Sequence, residues 1–294
     1  MTYKTAVIFI FIGSILFSTG YIGTVIGLQG GLSALEVITG RMLLASVILH
    51  VIFRDRIKKI SRHELYAGIF IGVAAYLSFA FQVWGLMHTT TSINAFVTST
   101  YVVLVPFVHY FHYKKAPDKY SNIGALLTLI GVGFISLNDG MLILSIGITL
   151  TFICAIFTAV QIFYLEVYTK KYDPITLTVV MLSTCFVMGL ILTLGSYAVV
   201  EPFTPNWQNI GAMVYLGIVC TIIPFLLQNI GQKYVAATKA SLIMATESIF
   251  ATILAVILFN EVLNFNKFFG FFLIFFAIVV AETKLKFGGL YGKR

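Results

Sequence analysis

The sequence predicts an all-α integral membrane protein with ten transmembrane helices in two inverted five-helix repeats. Three observations predict this fold class. Of the 294 residues, 59% are hydrophobic and 10% are charged, whereas a soluble domain carries about a quarter charged residues. The apolar residues form continuous runs of about 20, the length that a helix needs to cross the hydrocarbon core. The two halves of the chain also share one rhythm of runs and breaks.

Ten apolar runs are the candidate spans. They cover residues 5–27, 34–53, 65–87, 91–113, 121–138, 143–168, 174–197, 208–230, 236–258 and 264–283. Backbone polar groups inside lipid must be paired internally, so runs of this length are expected to be helices. A membrane barrel would need strands of about 10 residues with alternating polarity, which the runs lack. The first run is too long for a signal peptide and no cleavage motif follows it, so we interpret it as a retained span.

The basic residues set the expected orientation. Of the 19 Lys and Arg residues, 17 fall on one side of the ten-span topology, while Arg41 lies inside a span and Lys267 on the other side. Basic residues concentrate in cytoplasmic loops, so we expect a multi-pass protein of the cell membrane with both termini in the cytoplasm. This distribution accounts for the net charge of +8 without any nucleic-acid partner.

A shift of 146 residues aligns the second half of the chain with the first. It lays Gln82 on Gln228, Thr100 on Thr246 and Gly124 on Gly270. We therefore expect a first repeat at 1–138, a second repeat at 141–288 and a cytoplasmic tail at 289–294. Five spans are an odd number, so the second repeat enters the membrane from the opposite side. Inverted repeats of this kind are typical of secondary transporters.

Several motifs resemble the drug/metabolite transporter superfamily, in its ten-helix branch of two EamA-type repeats. They are LFSTGYIGTVIG in the first span, ITGRMLLASVIL around Arg41, ATESIFATILAVILFNEVL with Glu261 near its end, and Gly270 in the last span. The resemblance covers essentially the whole chain. Ser248 stands where many members have a proline, and this departure predicts a straighter ninth span.

The resemblance implies a carrier for a small metabolite, with export of amino acids or related compounds as the leading expectation and a proton gradient as the candidate energy source. It also implies that spans one, three, four, six, eight and nine line a central cavity. The sequence leaves two alternatives open: passive exchange of a phosphorylated or nucleotide-linked metabolite, and a membrane scaffold or lipid-handling protein that transports nothing.

Glu247 is the most informative polar residue, because it lies at the middle of the ninth span. A carboxylate there costs several kcal/mol unless it is neutral, paired or hydrated. Small and polar residues such as Ser241 and Ser248 share its helix face, which points it toward protein rather than lipid. It is a candidate for substrate or coupling-ion binding, and the alternative is a structural carboxyl bonded to a hydroxyl on a facing helix.

Arg41 lies about 10 Å into the second span at 1.5 Å per residue. We expect it either to bond helix ends or to attract an anionic group at the outer mouth. The remaining candidates form polar stripes at helical spacing on the expected lining spans. The candidate substrate-binding residues are Ser14, Ser18, Tyr21, Tyr76, Ser78, Gln82, Asn94, Thr98, Tyr101, Thr158, Gln161, Gln228, Ser241 and Glu247. Such stripes also serve helix packing in membranes.

Other chemistries find little support in the sequence. Cys154, Cys185 and Cys220 all lie within apolar runs and lack disulfide or metal-ligand spacing. His63 and Glu64 lack the second histidine of a zinc-protease helix, and no phosphate-binding loop or nucleophile elbow is present. We therefore expect no cofactor, no metal and no enzymatic activity, and the oligomeric state cannot be deduced from these patterns.

Overall fold

The computed structural model describes residues 1–117, 119–138, 141–142, 145–198, 203–204 and 206–283. These residues are almost entirely helical. The helices are α1 (Tyr3–Gln29), α2 (Ala34–Ile52), α3 (Arg54–Ile57), α4 (Arg62–Leu86), α5 (Thr91–Thr98), α6 (Tyr101–Tyr113), α7 (Lys119–Ile135), α8 (Ile146–Thr169), α9 (Pro174–Ser196), α10 (Trp207–Gly217), α11 (Ile223–Gln232), α12 (Ala237–Met244), α13 (Thr246–Phe259) and α14 (Phe265–Thr283). A π-helical segment, Ile218–Ile222, joins α10 to α11.

Eight helical segments within the described ranges are long and apolar enough to cross a membrane. They are Tyr3–Gln29, Ala34–Ile52, Arg62–Leu86, Thr91–Tyr113, Ile146–Thr169, Pro174–Ser196, Trp207–Gln232 and Ala237–Phe259. Two shorter apolar helices, Lys119–Ile135 and Phe265–Ala281, coincide with the fifth and tenth predicted spans. The chain is thus a helical, multi-pass membrane protein.

The middle of the chain differs from the sequence prediction. The fifth and sixth spans were expected to reach 138 and to begin at 143, but α7 ends at Ile135 and α8 begins at Ile146. Two short strands, β1 (Leu137–Asn138) and β2 (Met141–Leu142), pair antiparallel between them. The predicted tail at 289–294 lies outside the described residues.

Polar capping residues define where most spans begin. Ser33 and Glu36 form a reciprocal capping box at the start of α2, and Asp173 caps α9 directly before Pro174. Ser145 accepts a hydrogen bond from the backbone of Ile148 at the start of α8. These side chains satisfy backbone N–H groups that have no partner inside the helix, so each span has a fixed first turn.

Two of the predicted spans are interrupted near their middle. The fourth is divided at Ser99 and Thr100 into α5 and α6, and the ninth at Ala245 into α12 and α13. At both breaks a threonine hydroxyl donates to the carbonyl three residues earlier, from Thr100 to Val97 and from Thr246 to Ile243, at 2.7 Å in each case. Such bonds compete with the helical backbone pattern and bend helices. The expectation that Ser248 would leave the ninth span straighter was therefore wrong.

The eighth span is distorted in a third way. Pro224 follows the π-helical segment and has no backbone N–H, so it cannot donate to the carbonyl of Cys220 four residues earlier. The hydroxyl of Thr221 donates to the carbonyl of Leu216 at 2.7 Å. The carbonyl of Cys220 can therefore accept a hydrogen bond from another helix.

The two halves of the chain interlock. Helix α4 packs on α8 and α9, α2 packs on α9, and α1 packs on α10, α11 and α13. Helices α7 and α14 pack chiefly on each other, and a Cβ added at Gly131 would lie 2.9 Å from the carbonyl oxygen of Gly270. Helices α7 and α14 therefore form a peripheral pair, and the other long helices enclose the centre.

Candidate functional site

A cavity of about 70 Å³ lies at the centre of the helical bundle. It has room for a few water molecules. Its wall comes from α1, α2, α4, α5, α6, α8, α11, α12 and α13. These helices belong to the six spans that were expected to line a cavity, together with α2, which contributes only Arg41. The peripheral pair α7 and α14 contributes nothing to the wall.

Ten of the predicted site residues meet at this cavity. They are Tyr21, Arg41, Ser78, Gln82, Thr98, Tyr101, Thr158, Gln161, Gln228 and Glu247. Their positions in the sequence span more than 200 residues, so only the packing of both halves brings them together. The wall is therefore polar at many points, which is unusual for the interior of a membrane bundle.

Arg41 is 3% exposed and faces both the cavity and the distorted eighth span. Its Nη2 donates to the carbonyl of Cys220 at 2.8 Å, and its Nε donates to the hydroxyl of Thr221 at 2.9 Å. The guanidinium also lies 4.7 Å from the centre of the Phe79 ring. Because Pro224 cannot donate to the Cys220 carbonyl, Arg41 supplies a hydrogen bond that the helix itself cannot make. No carboxylate among the described residues pairs with it.

Arg41 therefore makes hydrogen bonds to the segment between α10 and α11, and its attraction of an anionic group stays a prediction. The guanidinium has five N–H donors in all, and two of its nitrogens account for the protein hydrogen bonds above. The remaining donor capacity can meet an anionic or polar ligand in the cavity. A buried arginine without a counter-charge is costly in a membrane unless such a partner or water is present.

Glu247 lies at the first turn of α13 and is 6% exposed. Its carboxyl has no hydrogen-bond or ion-pair partner in the part of the chain that the structure describes, so the hydroxyl expected on a facing helix is not there. Tyr21 and Tyr101 line the same cavity. A carboxyl in this setting must be protonated, hydrated or matched by a cationic ligand.

Amides and hydroxyls complete the polar wall. Gln82 donates from Nε2 to the hydroxyl of Tyr21 at 3.0 Å, and the hydroxyls of Ser78 and Thr158 are 2.6 Å apart. The hydroxyl of Tyr101 is fully buried and lacks a hydrogen-bond partner among the described residues. Such a group is available to a ligand or to water.

Aromatic residues that the sequence prediction missed form an apolar part of the wall. Phe225 contacts Phe17 and Phe79 edge to face, with ring centres 4.9 and 5.9 Å apart, and all three line the cavity. The predicted stripes consisted of polar residues, and a phenylalanine that faces a cavity has the same sequence signature as one that faces lipid. Only the packing of α1, α4 and α11 shows that these three phenylalanines face the cavity.

Five predicted residues lie away from the cavity wall. Ser14 bonds the hydroxyl of Thr246 at 2.9 Å, and Ser18 and Ser241 donate to carbonyls of their own helices. Asn94 donates from Nδ2 to the hydroxyl of Thr151 at 2.8 Å and to the carbonyl of Gln82 at 3.1 Å. Tyr76 is buried in an apolar cluster with residues of α2 and α9. The side chains of Ser14 and Asn94 therefore join helices, a role that polar stripes often have in membrane bundles, whereas Ser18 and Ser241 bond only within their own helices.

Glutamates from elsewhere in the bundle hold the first turns of the two half-spans. Glu261 accepts hydrogen bonds from the backbone N–H groups of Thr91 and Ser92, at 2.7 and 3.2 Å, at the start of α5. Glu166 accepts one from Ala237 at 2.7 Å at the start of α12, and it also pairs with Lys170. Anionic side chains are favourable at helix N-termini, so both half-helices are anchored at the ends away from their breaks.

Comparisons with known proteins place these features in a family context. A sequence profile of the EamA-like transporter family matches residues 4–137 and again residues 145–283. A protein of Archaeoglobus fulgidus described as an uncharacterized transporter is 30% identical over 220 residues, which are 74% of this chain and 69% of that one. A crystal structure described only as that of a protein superposes with a TM-score of 0.70 at 17% identity, covering 96% of this chain and 98% of that chain. The last similarity concerns the fold alone.

Proposed function

Because the chain belongs to the EamA-like transporter family, we propose that it is a carrier that moves a small zwitterionic metabolite, such as an amino acid, across the cell membrane by alternating access. The observation that carries the proposal is the pair of opposite charges in one cavity. Arg41 and Glu247 both line it, and neither has a counter-charge among the described residues. A substrate with a carboxylate and an ammonium group would satisfy both.

The proposed carrier has ten spans in two inverted repeats, 1–138 and 141–288. The boundaries of α5 and α12 lie 146 residues apart at both ends. Lys114 and Asn260, the two non-glycine residues with left-handed backbone among those that the structure describes, are separated by the same interval. The threonines at the two helix breaks are separated by it as well. Equal local conformation at one constant offset supports a common origin of the halves.

Alternating access assigns a mechanical role to the interrupted spans. Half-helices that end near the midplane are typical of carriers in which one bundle rocks against the other. In this proposal α5 and α12 move as short rigid elements about their breaks, and Glu261 and Glu166 release their first turns as the two faces open in alternation. Both termini are cytoplasmic in this arrangement, in agreement with the distribution of basic residues.

In this proposal Glu247 also couples transport to protons. When the cavity is empty, a proton can neutralise the carboxyl, which has no other partner among the described side chains. When a substrate ammonium binds, it replaces that proton as the neutralising charge. Substrate and proton then compete for one carboxyl, and export of substrate is coupled to entry of a proton. The proposal contains no catalytic step.

The alternatives from the sequence are weaker on the same evidence. A phosphorylated metabolite would carry about two negative charges. Arg41 is the only Lys or Arg that lines the described cavity, and Glu247 in the same wall would repel such a ligand. A scaffold without an aqueous path has no use for two buried charges that lack partners. Both alternatives predict that amino acids have no effect on the protein.

Thermal-shift screening of the purified protein with the twenty amino acids tests the proposal. One or a few of them should raise the melting temperature, and the best ligand should then exchange into proteoliposomes. If no amino acid binds, and labelled amino acids show no uptake above that of empty liposomes, the zwitterion proposal is wrong. The Glu247→Cys variant tests the aqueous path. If a water-soluble thiol reagent does not modify this cysteine, water does not reach the position and the carrier proposal is wrong.

A further inference from the structure

A second, larger cavity lies on the outer surface of the bundle, in a groove between α4 and α9. Its volume is about 410 Å³. Leu65 and Ile69 of α4 form one wall, and Val179, Val187 and Met188 of α9 form the other. Residues 179 and 188 are nine positions apart, which corresponds to roughly 13 Å of helix. The groove therefore has the shape of a channel along the helices rather than of a round pocket.

The surface of this groove is apolar even where the sequence is polar. His50, Ser183 and Thr184 line it. The Nδ1 atom of His50 lies 2.9 Å from the carbonyl oxygen of Ser46 in its own helix. The hydroxyls of Ser183 and Thr184 donate to the carbonyls of Val179 and Val180, also in their own helix, at 2.6 and 2.9 Å. Their hydrogen-bonding capacity as donors is thus used internally. Such a groove suits a hydrocarbon chain.

One end of the groove carries a concentration of positive charge. Ile57 and Ile60 line that end and are half-buried, whereas the neighbouring basic residues are exposed. Arg54, Lys59 and Arg62 have no ion-pair partner within the described ranges, while Arg56 pairs with Asp173 and Lys58 with Asp55. Consecutive Cα atoms are about 3.8 Å apart. The Cα atoms of Lys59 and Arg62 therefore lie within about 4 and 8 Å of the Cα atom of the lining residue Ile60, and Arg54 lies three residues before the lining residue Ile57.

A second apolar groove, which has no basic residues near it, serves as a comparison. A groove of about 520 Å³ along α1, α10 and α13 is just as apolar and is lined by residues such as Ile26, Trp207 and Leu258. None of its lining residues, and none of their neighbours in the chain, is a lysine or an arginine. Any acyl chain could enter either groove, but only the groove between α4 and α9 offers cations to a headgroup.

We propose that the groove between α4 and α9 binds a phospholipid with an anionic headgroup. Its acyl chain lies between the two helices, and its phosphate meets the unpaired cations at positions 54, 59 and 62. Basic clusters at the membrane surface recognise anionic lipids in this way. The proposal does not rest on the transport function, because none of these residues lines the central cavity.

Native mass spectrometry of the detergent-purified protein, titrated with phosphatidylglycerol or phosphatidylcholine of equal chain length, tests the proposal. Each Lys or Arg near an anionic headgroup strengthens association by about fivefold. The wild type should therefore retain phosphatidylglycerol at least about tenfold better than phosphatidylcholine, and the triple variant Arg54→Gln, Lys59→Gln, Arg62→Gln should lose this preference.

Two further variants keep the test specific. The matched triple Lys115→Gln, Lys119→Gln, Lys171→Gln removes the same charge from other exposed positions and should keep the preference. Ile69→Trp should fill the groove and lower retention of phosphatidylglycerol with every cation in place. Equal retention of the two lipids by the wild type would overturn the proposal, and so would an equal loss in both triple variants or full retention by Ile69→Trp.

Discussion

Replacing Glu247 with glutamine is the sharpest test of how the cavity works. The amide keeps the size of the side chain and removes its ability to carry a proton or to neutralise an ammonium group. Because the carboxyl has no hydrogen-bond partner among the described residues, the substitution breaks no contact within the protein. We therefore expect the free energy of unfolding to fall by no more than about 1 kcal/mol, the typical effect of a point substitution.

The effect on transport should be much larger than the effect on stability. One proton exchanged per substrate converts each pH unit of gradient into 1.36 kcal/mol, or about tenfold accumulation at most. The wild type should approach that ratio for the amino acid that gives the strongest thermal shift. The Glu247→Gln variant should show no gradient-driven accumulation, because nothing in its place takes up the proton.

The assay is uptake into proteoliposomes with an imposed pH gradient, measured beside the melting temperature of the same preparation. Exchange of labelled for unlabelled substrate at equal pH on both sides reports whether the variant still moves substrate at all. If Glu247→Gln accumulates substrate with the pH dependence of the wild type, the carboxyl is not the proton site. If stability and exchange fall together, the carboxyl has a structural role and the coupling argument fails.

Three other predictions concern the wall, an anchored half-helix and the peripheral pair. Gln161→Trp should abolish flux with normal expression because it fills the cavity, whereas Leu126→Trp, at a position 61% exposed on α7, should leave flux unchanged. Glu261→Gln should lower the free energy of unfolding in a denaturant titration by roughly 1.5–3 kcal/mol, because it loses charge-assisted bonds to the first backbone N–H groups of α5. Gly131→Ala should reduce thermal stability because its Cβ would lie 2.8 Å from a side-chain carbon across the helix pair, whereas Gly195→Ala, with open space around it, should not.

The sequence predicted the membrane class and most of the cavity wall, because both depend on local patterns. An apolar run of about 20 residues has few alternatives to a spanning helix. A polar stripe on such a helix must face protein, so Gln82, Thr98 and Gln161 could be assigned inward from spacing alone. Glu247 followed from the same reasoning, since a carboxyl at mid-span is too costly to face lipid.

The features that were missed depend on contacts between distant parts of the chain. Arg41 bonds the carbonyl of Cys220, 179 residues away, and the need for that bond arises from Pro224. Glu261 was recognised as part of a motif, but its partners at the start of α5 lie some 170 residues earlier. The breaks lie at Thr100 and next to Thr246, two positions that the repeat aligns, but aligned threonines do not by themselves indicate a break in a helix.

The two charges in the cavity can be told apart by trimming the ligand as well as the protein. If Arg41 holds the substrate carboxylate, the wild type should bind an amino acid more tightly than its amide, and Arg41→Lys should shrink this difference because an ammonium cannot form a forked contact. If Glu247 holds the ammonium, Glu247→Gln should instead shrink the difference in affinity between the amino acid and the analogue that lacks the amine, and it should leave the comparison with the amide unchanged.

Each interaction energy is measured by a double-mutant cycle between one protein group and one ligand group, so losses of stability common to both ligands cancel. Arg41→Lys also keeps a donor for the Cys220 carbonyl. A change in its ligand affinity would therefore not be caused by disruption of the segment around Cys220. Dissociation constants for the three ligands and three proteins, measured by calorimetry, decide the matter. Equal penalties for both trimmed ligands in either variant would mean that the charges hold the helices together and do not contact the substrate.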